Sequence, residues 1–470
     1  MASFYVGKKW LNHMCAFECR YHGVCFNNRK SQAGGSLDSR KIMVKKILRK
    51  KDKRMKRATL ILTLTVFLLT DKSLVLCQVM DTLQGMCPEP IEQYTLNIEK
   101  DPNSAGLYVC RGEKYLQLRE FSKAFADFDK AMGLDDHVEK PRIYTVLMMW
   151  GQNLDKELAE ELEHQIESAP GNIFVRILLV SYYQNEGIRS YEARMAQHRH
   201  RLWFIQERPD YDSRSIINPL LFLMPGLDDQ FVDEVEGLWF KKIEESKNDP
   251  KIILNAAEML LLIDNKFSIE LYEKGRQLYP SNPIWAEGLG QIYELNSRDD
   301  SEDKKKYFSS KSFLEYKQAY EAAKGSPEEN YILKCLVWAA YKAGEYAPAY
   351  SYAQELLERG ATLLDEAEKA DALHAGHTVL GLLAIKEDNI ESAKDHLLKS
   401  GDVRQGSPVL DSFGPAMDLA KELSERGERE TVLAYFELCS KFWESGKDEL
   451  QKWRKVVEAG GIPDFGSNLN

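Results

Sequence analysis

The stretch that decides the fold is Ala105–Asp136, AGLYVCRGEKYLQLREFSKAFADFDKAMGLDD. It reads as two amphipathic helices joined at Leu118–Phe121. In a unit of about 34 residues counted from Ala105, Tyr108, Gly112, Tyr115, Phe121, Ala124, Phe128 and Ala131 take positions 4, 8, 11, 17, 20, 24 and 27. The large residues recur one helical turn apart and line one face of each helix. The small ones, Gly112, Ala124 and Ala131, fall where two helix axes must approach closely.

The same register returns downstream. In 330–363, Gly344, Tyr346 and Ala349 fall at positions 15, 17 and 20. In 374–407, His377, Leu380, Gly381, Ala384, Ile390, Ala393 and Leu397 fall at 4, 7, 8, 11, 17, 20 and 24. Over 250–325 the match is partial: Leu289, Gly290 and Tyr293 restore positions 7, 8 and 11, and SRDDSEDKKKYF spaces out the second helix. This pattern resembles the tetratricopeptide repeat, and the chain resembles exported bacterial proteins built from it. The resemblance implies an all-α fold, an α-α superhelix of antiparallel helix pairs stacked on copies of themselves.

Between the matching units the chain stays helical. Pro141–Gly171 holds a helix pair that ends at Pro170-Gly171, and 172–206 holds another. Arg208–Gly226 carries Pro209, Asn218, Pro219 and Pro225 and reads as an irregular hinge. The expected organisation is a basic, disordered or mis-assigned extension at 1–54 and a signal peptide or anchor at 55–77. An N-terminal array at 78–207, the hinge at 208–228, a C-terminal array at 229–407 and capping helices at 408–470 follow. In the last segment, Tyr435, Phe436, Phe442, Trp443 and Trp453 read as closing the open face of the last repeat, or as an aromatic docking surface.

Charge is unevenly spread. The chain has 470 residues and a formal charge of −10. Residues 1–54 carry 14 Lys and Arg against Glu18, Asp38 and Asp52, which leaves 49 basic and 70 acidic residues, a charge of −21, for 55–470. A body so acidic argues against nucleic acid, whose phosphates need clustered Lys and Arg. After Met55, Lys56 and Arg57 precede the apolar run Ala58–Leu69, too short to span a bilayer but matched to a secretory h-region. Leu74-Val75-Leu76-Cys77 resembles a lipobox, except that Leu76 stands where a small residue belongs; cleavage after Cys77 by ordinary signal peptidase is the alternative. The expected location is exported, periplasmic or membrane-anchored through this segment, and cytoplasmic if the signal is not used.

His13, Cys15, Cys19, His22 and Cys25 crowd together without the spacing of a zinc knuckle. Cys87, Cys110, Cys335 and Cys439 are too scattered for a disulfide scaffold. Cys110 suits a helix as a small apolar thiol, and pairing with Cys87 is the alternative in an oxidising compartment. His374 and His377 lie one turn apart but lack the Glu of H-E-x-x-H, and His198 and His200 point to different sides of a helix. Asp464-Phe465-Gly466 stands without the rest of a kinase signature. No phosphate loop, dinucleotide fingerprint or nucleophile elbow occurs, so neither cofactor nor metal is expected and the chain reads as a non-enzyme.

The resemblance then implies a protein–protein interaction scaffold that holds a peptide or partner helix in a groove lined by the first helix of each repeat. By repeat position, its partner-binding residues are Glu113 and Gln117 in the first unit, Lys334 and Lys342 in 330–363, and Thr378 in the last. The acidic body favours a basic or neutral partner segment. An enzyme with an unrecognised site near 208–228, or a cytosolic adaptor, is the alternative.

Overall fold

Apolar side chains one helical turn apart leave a chain one way to dry them: each helix lays its stripe on the next. The computed structural model describes residues 87–211, 221, 223–298, 301–403 and 406–469. Among these residues there are twenty α-helices and no strand, and most of the helices pack mainly on their neighbours in the chain. The fold is therefore all-α, with antiparallel pairs stacked in chain order as in an α-α superhelix. The expectations for 1–54 and 55–77, including the cysteine–histidine cluster and the signal sequence, lie outside the described residues. No described helix is long and apolar enough to cross a membrane.

The described residues form two compact units that part at Ser268–Ile269. The first contains α1 (Ile91–Lys100), α2 (Ala105–Gln117), α3 (Phe121–Leu134), α4 (Asp136–Gln152), α5 (Lys156–Ser168), α6 (Ile173–Glu186), α7 (Tyr191–Glu207), α8 (Val232–Glu245) and α9 (Pro250–Leu260). Helix starts follow the sequence signals. Asp155, Asn172 and Ser190 cap α5, α6 and α7 by accepting backbone N–H bonds from Leu158, Phe174 with Val175, and Ala193. Pro250 opens α9, at a position whose N–H has no helical partner anyway. A Cys87–Cys110 disulfide ties the chain ahead of α1 to α2.

The described ends of the segment expected to be a hinge are pinned to their surroundings. The Asn255 amide donates to the carbonyls of Pro209 and Tyr211 at 2.7 and 2.6 Å. The fully buried Arg201 of α7 donates to Leu221 O at 2.8 Å and pairs with Asp228, whose carboxylate also accepts the Met224 N–H.

α10 (Asn265–Leu278) runs across the boundary, and the second unit continues with α11 (Ile284–Asn296), α12 (Glu302–Ala322), α13 (Glu329–Lys342), α14 (Tyr346–Thr362), α15 (Glu366–Lys386) and α16 (Ile390–Gly401). The expected spacer is in part helix, since Glu302–Phe308 forms the first turns of α12. α17 (Pro408–Phe413), α18 (Asp418–Glu425), α19 (Arg429–Cys439) and α20 (Lys447–Glu458) complete it. The C-terminal aromatics are at most 8% exposed and, with Phe465, form one core that closes the unit. That burial removes them as a docking surface. The Asp464-Phe465-Gly466 tripeptide serves the same core: Phe465 stacks edge-on to Trp453, whose indole N–H donates to Asp464 O.

One turn recurs between paired helices. Arg119, Gly344, Asp388 and Gly427 all have positive φ, and each sits between two helices of a pair. In every case its N–H bonds the carbonyl three residues back, and the next N–H bonds the carbonyl five back. This is the Schellman ending of a helix. Its occurrence at Gly427 shows that α18 and α19, expected only as caps, are joined as the repeat pairs are.

Candidate partner-binding face

The second unit presents a polar and aromatic stripe on α13. Tyr331, Lys334, Trp338 and Lys342 succeed one another at helical spacing, and each is half-buried. They occupy one side of α13 because the opposite side, with Ile332, Leu333, Leu336, Val337 and Ala340, is spent on the core. The Lys334 ammonium lies 5.5 Å from the Tyr331 ring centroid and that of Lys342 6.0 Å from Trp338, so each cation rests beside an aromatic face.

Both lysines reach neighbouring first helices. Lys334 Nζ pairs with Asp371 of α15 and Lys342 Nζ with Glu294 of α11, each at 2.8 Å. Ser407 donates its hydroxyl to the other Asp371 oxygen. Burial would depress the Lys334 ammonium, but Asp371 more than offsets it and holds its pKa above the usual lysine value. Burial likewise pushes Glu294 up, and Lys342 reverses this to hold the carboxyl below its usual range. The Cys335 thiol, between the stripe and the core, is pushed up to about 12 by burial and stays protonated. The arrangement offers flat rings at partial exposure on a rigid helix, with both charged heads already ion-paired.

The five residues singled out from the sequence are not brought to one place. Lys334 and Lys342 belong to the stripe. Gln117 is exposed on α2. Glu113 was expected on an exposed face, but it is 3% exposed, and burial, opposed by Arg142, raises its carboxyl pKa. Thr378 is 1% exposed and donates its hydroxyl to His374 O at 2.7 Å, within its own helix. Exposure at those two positions is therefore corrected: α15 is enclosed along much of its length, and Glu113 faces Arg142 of α4. Trp338, Tyr331, Glu294 and Asp371 were missed. The spacing of Tyr331, Lys334, Trp338 and Lys342 in YILKCLVWAAYK carries the signal for the stripe.

The histidines are tied into the structure. His374 is buried, with Nδ1 2.9 Å from Ser400 O while Nε2 accepts the Ala416 N–H at 2.9 Å, which fixes the neutral tautomer with its proton on Nδ1. His198 and His200 do face apart. His198 stacks on Phe231 and donates to Glu234 of α8, and His200 donates to Glu163 of α5. In each, the remaining ring nitrogen accepts from an arginine, Arg201 or Arg176, and this sets the proton on Nε2. Among the described residues no group of three or more His, Cys, Asp or Glu is placed to hold a metal ion. A scan against protein-family models and a search of curated proteins find no match for the chain.

Proposed function

We propose that the chain is a non-catalytic, tetratricopeptide-like scaffold and that the Tyr331–Lys334–Trp338–Lys342 stripe of α13 binds a polypeptide partner. The observation that carries this reading is the half-buried Trp338 between two lysines, each ion-paired to the first helix of an adjoining pair. Tryptophan and tyrosine are among the residue types enriched in binding hot spots, and here ion-paired lysines hold them in place. The acidic body favours a basic or neutral partner segment. An exported or membrane-anchored location accords with the secretory-type segment at 55–77 and with the Cys87–Cys110 disulfide, since disulfides persist in oxidising compartments.

The reading is tested by quantitative affinity purification with the native chain and a Trp338→Ser, Lys342→Ser variant. Loss of the same partner from the variant, with unchanged far-UV helical signal, is the expected result. Retention of that partner by the folded variant overturns the assignment to α13. Fractionation and N-terminal sequencing of native protein test export.

A further inference from the structure

The first unit holds a charged cluster that partner binding does not use. The disulfide sulfurs of Cys87 and Cys110 lie at the junction of α1, α2 and α4, and the Arg142 guanidinium of α4 reaches both of them. Its Nη2 is 3.1 Å from Cys87 Sγ and 3.2 Å from Cys110 Sγ. Its Nη1 lies 3.5 Å from Glu139 Oε2, and Glu113 and Tyr94 face the same cluster. Gly106 leaves the room, since a Cβ there would come 3.3 Å from Glu139 Oε1 and 3.7 Å from Arg142 Nη1.

A neutral disulfide sulfur is a weak acceptor that gains little from a guanidinium. A thiolate gains much, because an arginine cannot give up its charge and a charge-assisted bond is about twice as strong as a neutral one. We propose that Cys87–Cys110 is a redox-active disulfide whose reduction Arg142 favours by holding the thiolate it releases. Attack by the thiolate of a dithiol reductant forms a mixed disulfide with one cysteine and expels the other sulfur as thiolate toward Arg142. The second reductant thiol then closes on the mixed disulfide, leaving two reduced cysteines and an oxidised reductant. The sulfur not held by Arg142 takes up a proton. A leaving thiolate stabilised in this way departs faster and shifts the equilibrium toward the dithiol.

Reduction also has a mechanical consequence. Besides the disulfide, α1 is held by the small apolar cluster of Tyr94 and Leu107 with the cysteines themselves, by the buried Ile98 and by the Arg111–Thr95 bond at 3.3 Å. The reduced chain is therefore expected to expose 87–100 to proteolysis and amide exchange more than the oxidised one does.

The experiment equilibrates the full chain in mixtures of reduced and oxidised dithiothreitol and counts free thiols by alkylation and mass. Arg142→Gln should need about tenfold more reducing mixtures for half reduction, about 30 mV. Arg142→Lys should fall between. Glu139→Gln, which removes a carboxylate competing for the guanidinium, should move the midpoint the opposite way. An unmoved midpoint in Arg142→Gln, or one shifted toward easier reduction, overturns the proposal. If Arg142→Gln does not fold, Glu139→Gln decides, and an unmoved or more reducing midpoint there overturns it equally.

Discussion

Gly112 of α2 lies under the ring of Phe128 of α3, so close that an added Cβ would stand 2.6 Å from the ring's Cε1 and 3.1 Å from the Ala124 carbonyl. Phe128 is fully buried and has no room to withdraw. Gly112→Leu is therefore expected to lower stability by about 2–3 kcal/mol through overpacking. Phe128→Ala in the same chain should cost less than the two separate changes added together, because the two side chains compete for one volume. Urea denaturation of the two singles and the double measures both quantities.

Gly344 isolates the backbone term. Its φ is +80°, and a Cβ added there would meet nothing within 4 Å. Gly344→Ala should then cost about 1 kcal/mol from the left-handed conformation alone. Gly171, which likewise has open space around it but no positive φ, supplies the control. Gly171→Ala should change stability by less than about 0.5 kcal/mol, and equal effects at the two sites would contradict the turn assignment.

The repeat was legible because its signals are local. Gly112, Ala124 and Phe128 announce a close helix pair by spacing alone, and Gly344 and Gly427 mark turns by residue type. Arg119 and Asp388 adopt the same turn without a glycine, so only the register of their neighbours locates it. What the sequence could not give is what covers a helix from outside its own pair. Glu113 is a charged residue one turn from the buried Val109 and Leu116, and Arg142 arrives from α4 to face it there. Thr378 is hidden because α15 is buried on almost every side. Trp338 and Tyr331 carry no repeat position that singles them out, and only their half-exposure separates them from the buried Leu333 and Leu336.

The pin at α7 makes a sharper stability prediction. Arg201 is 1% exposed and Asp228 2%, and their ion pair at 3.4 Å is joined by the Leu221 carbonyl and the Met224 N–H. Asp228→Ala strands a buried guanidinium and should cost about 3–5 kcal/mol. Arg201→Met with Asp228→Leu removes both charges and should cost less than Asp228→Ala alone. Thermal denaturation orders the three proteins, and a double variant less stable than Asp228→Ala would contradict the argument.

The His377–His396 pair predicts how stability responds to acid. The two Nδ1 atoms are 3.0 Å apart, so one donates and the other accepts, and protonating both rings would set two cations face to face. Burial first, then His396 and Lys399, depress His377 to about 4, with Asp395 opposing. Burial also depresses His396, against Asp395. A histidine in the unfolded chain titrates near 6.5, so between that pH and about 4 the folded chain binds fewer protons than the unfolded one. The stability tied to the neutral pair is thus complete above pH 6.5 and is lost as pH falls through this window. Because the pair is partly open to solvent, about 1–2 kcal/mol is the expected loss. Burial also lowers His198, His200 and His374, so the wild-type slope contains their share. The test is the difference between wild type and His377→Gln in urea titrations at about pH 7.5, 5.5 and 4.5. The variant should lose less stability on acidification, since glutamine can donate to His396 without ever becoming charged. Parallel curves for the two proteins would show that the pair does not govern the acid limb.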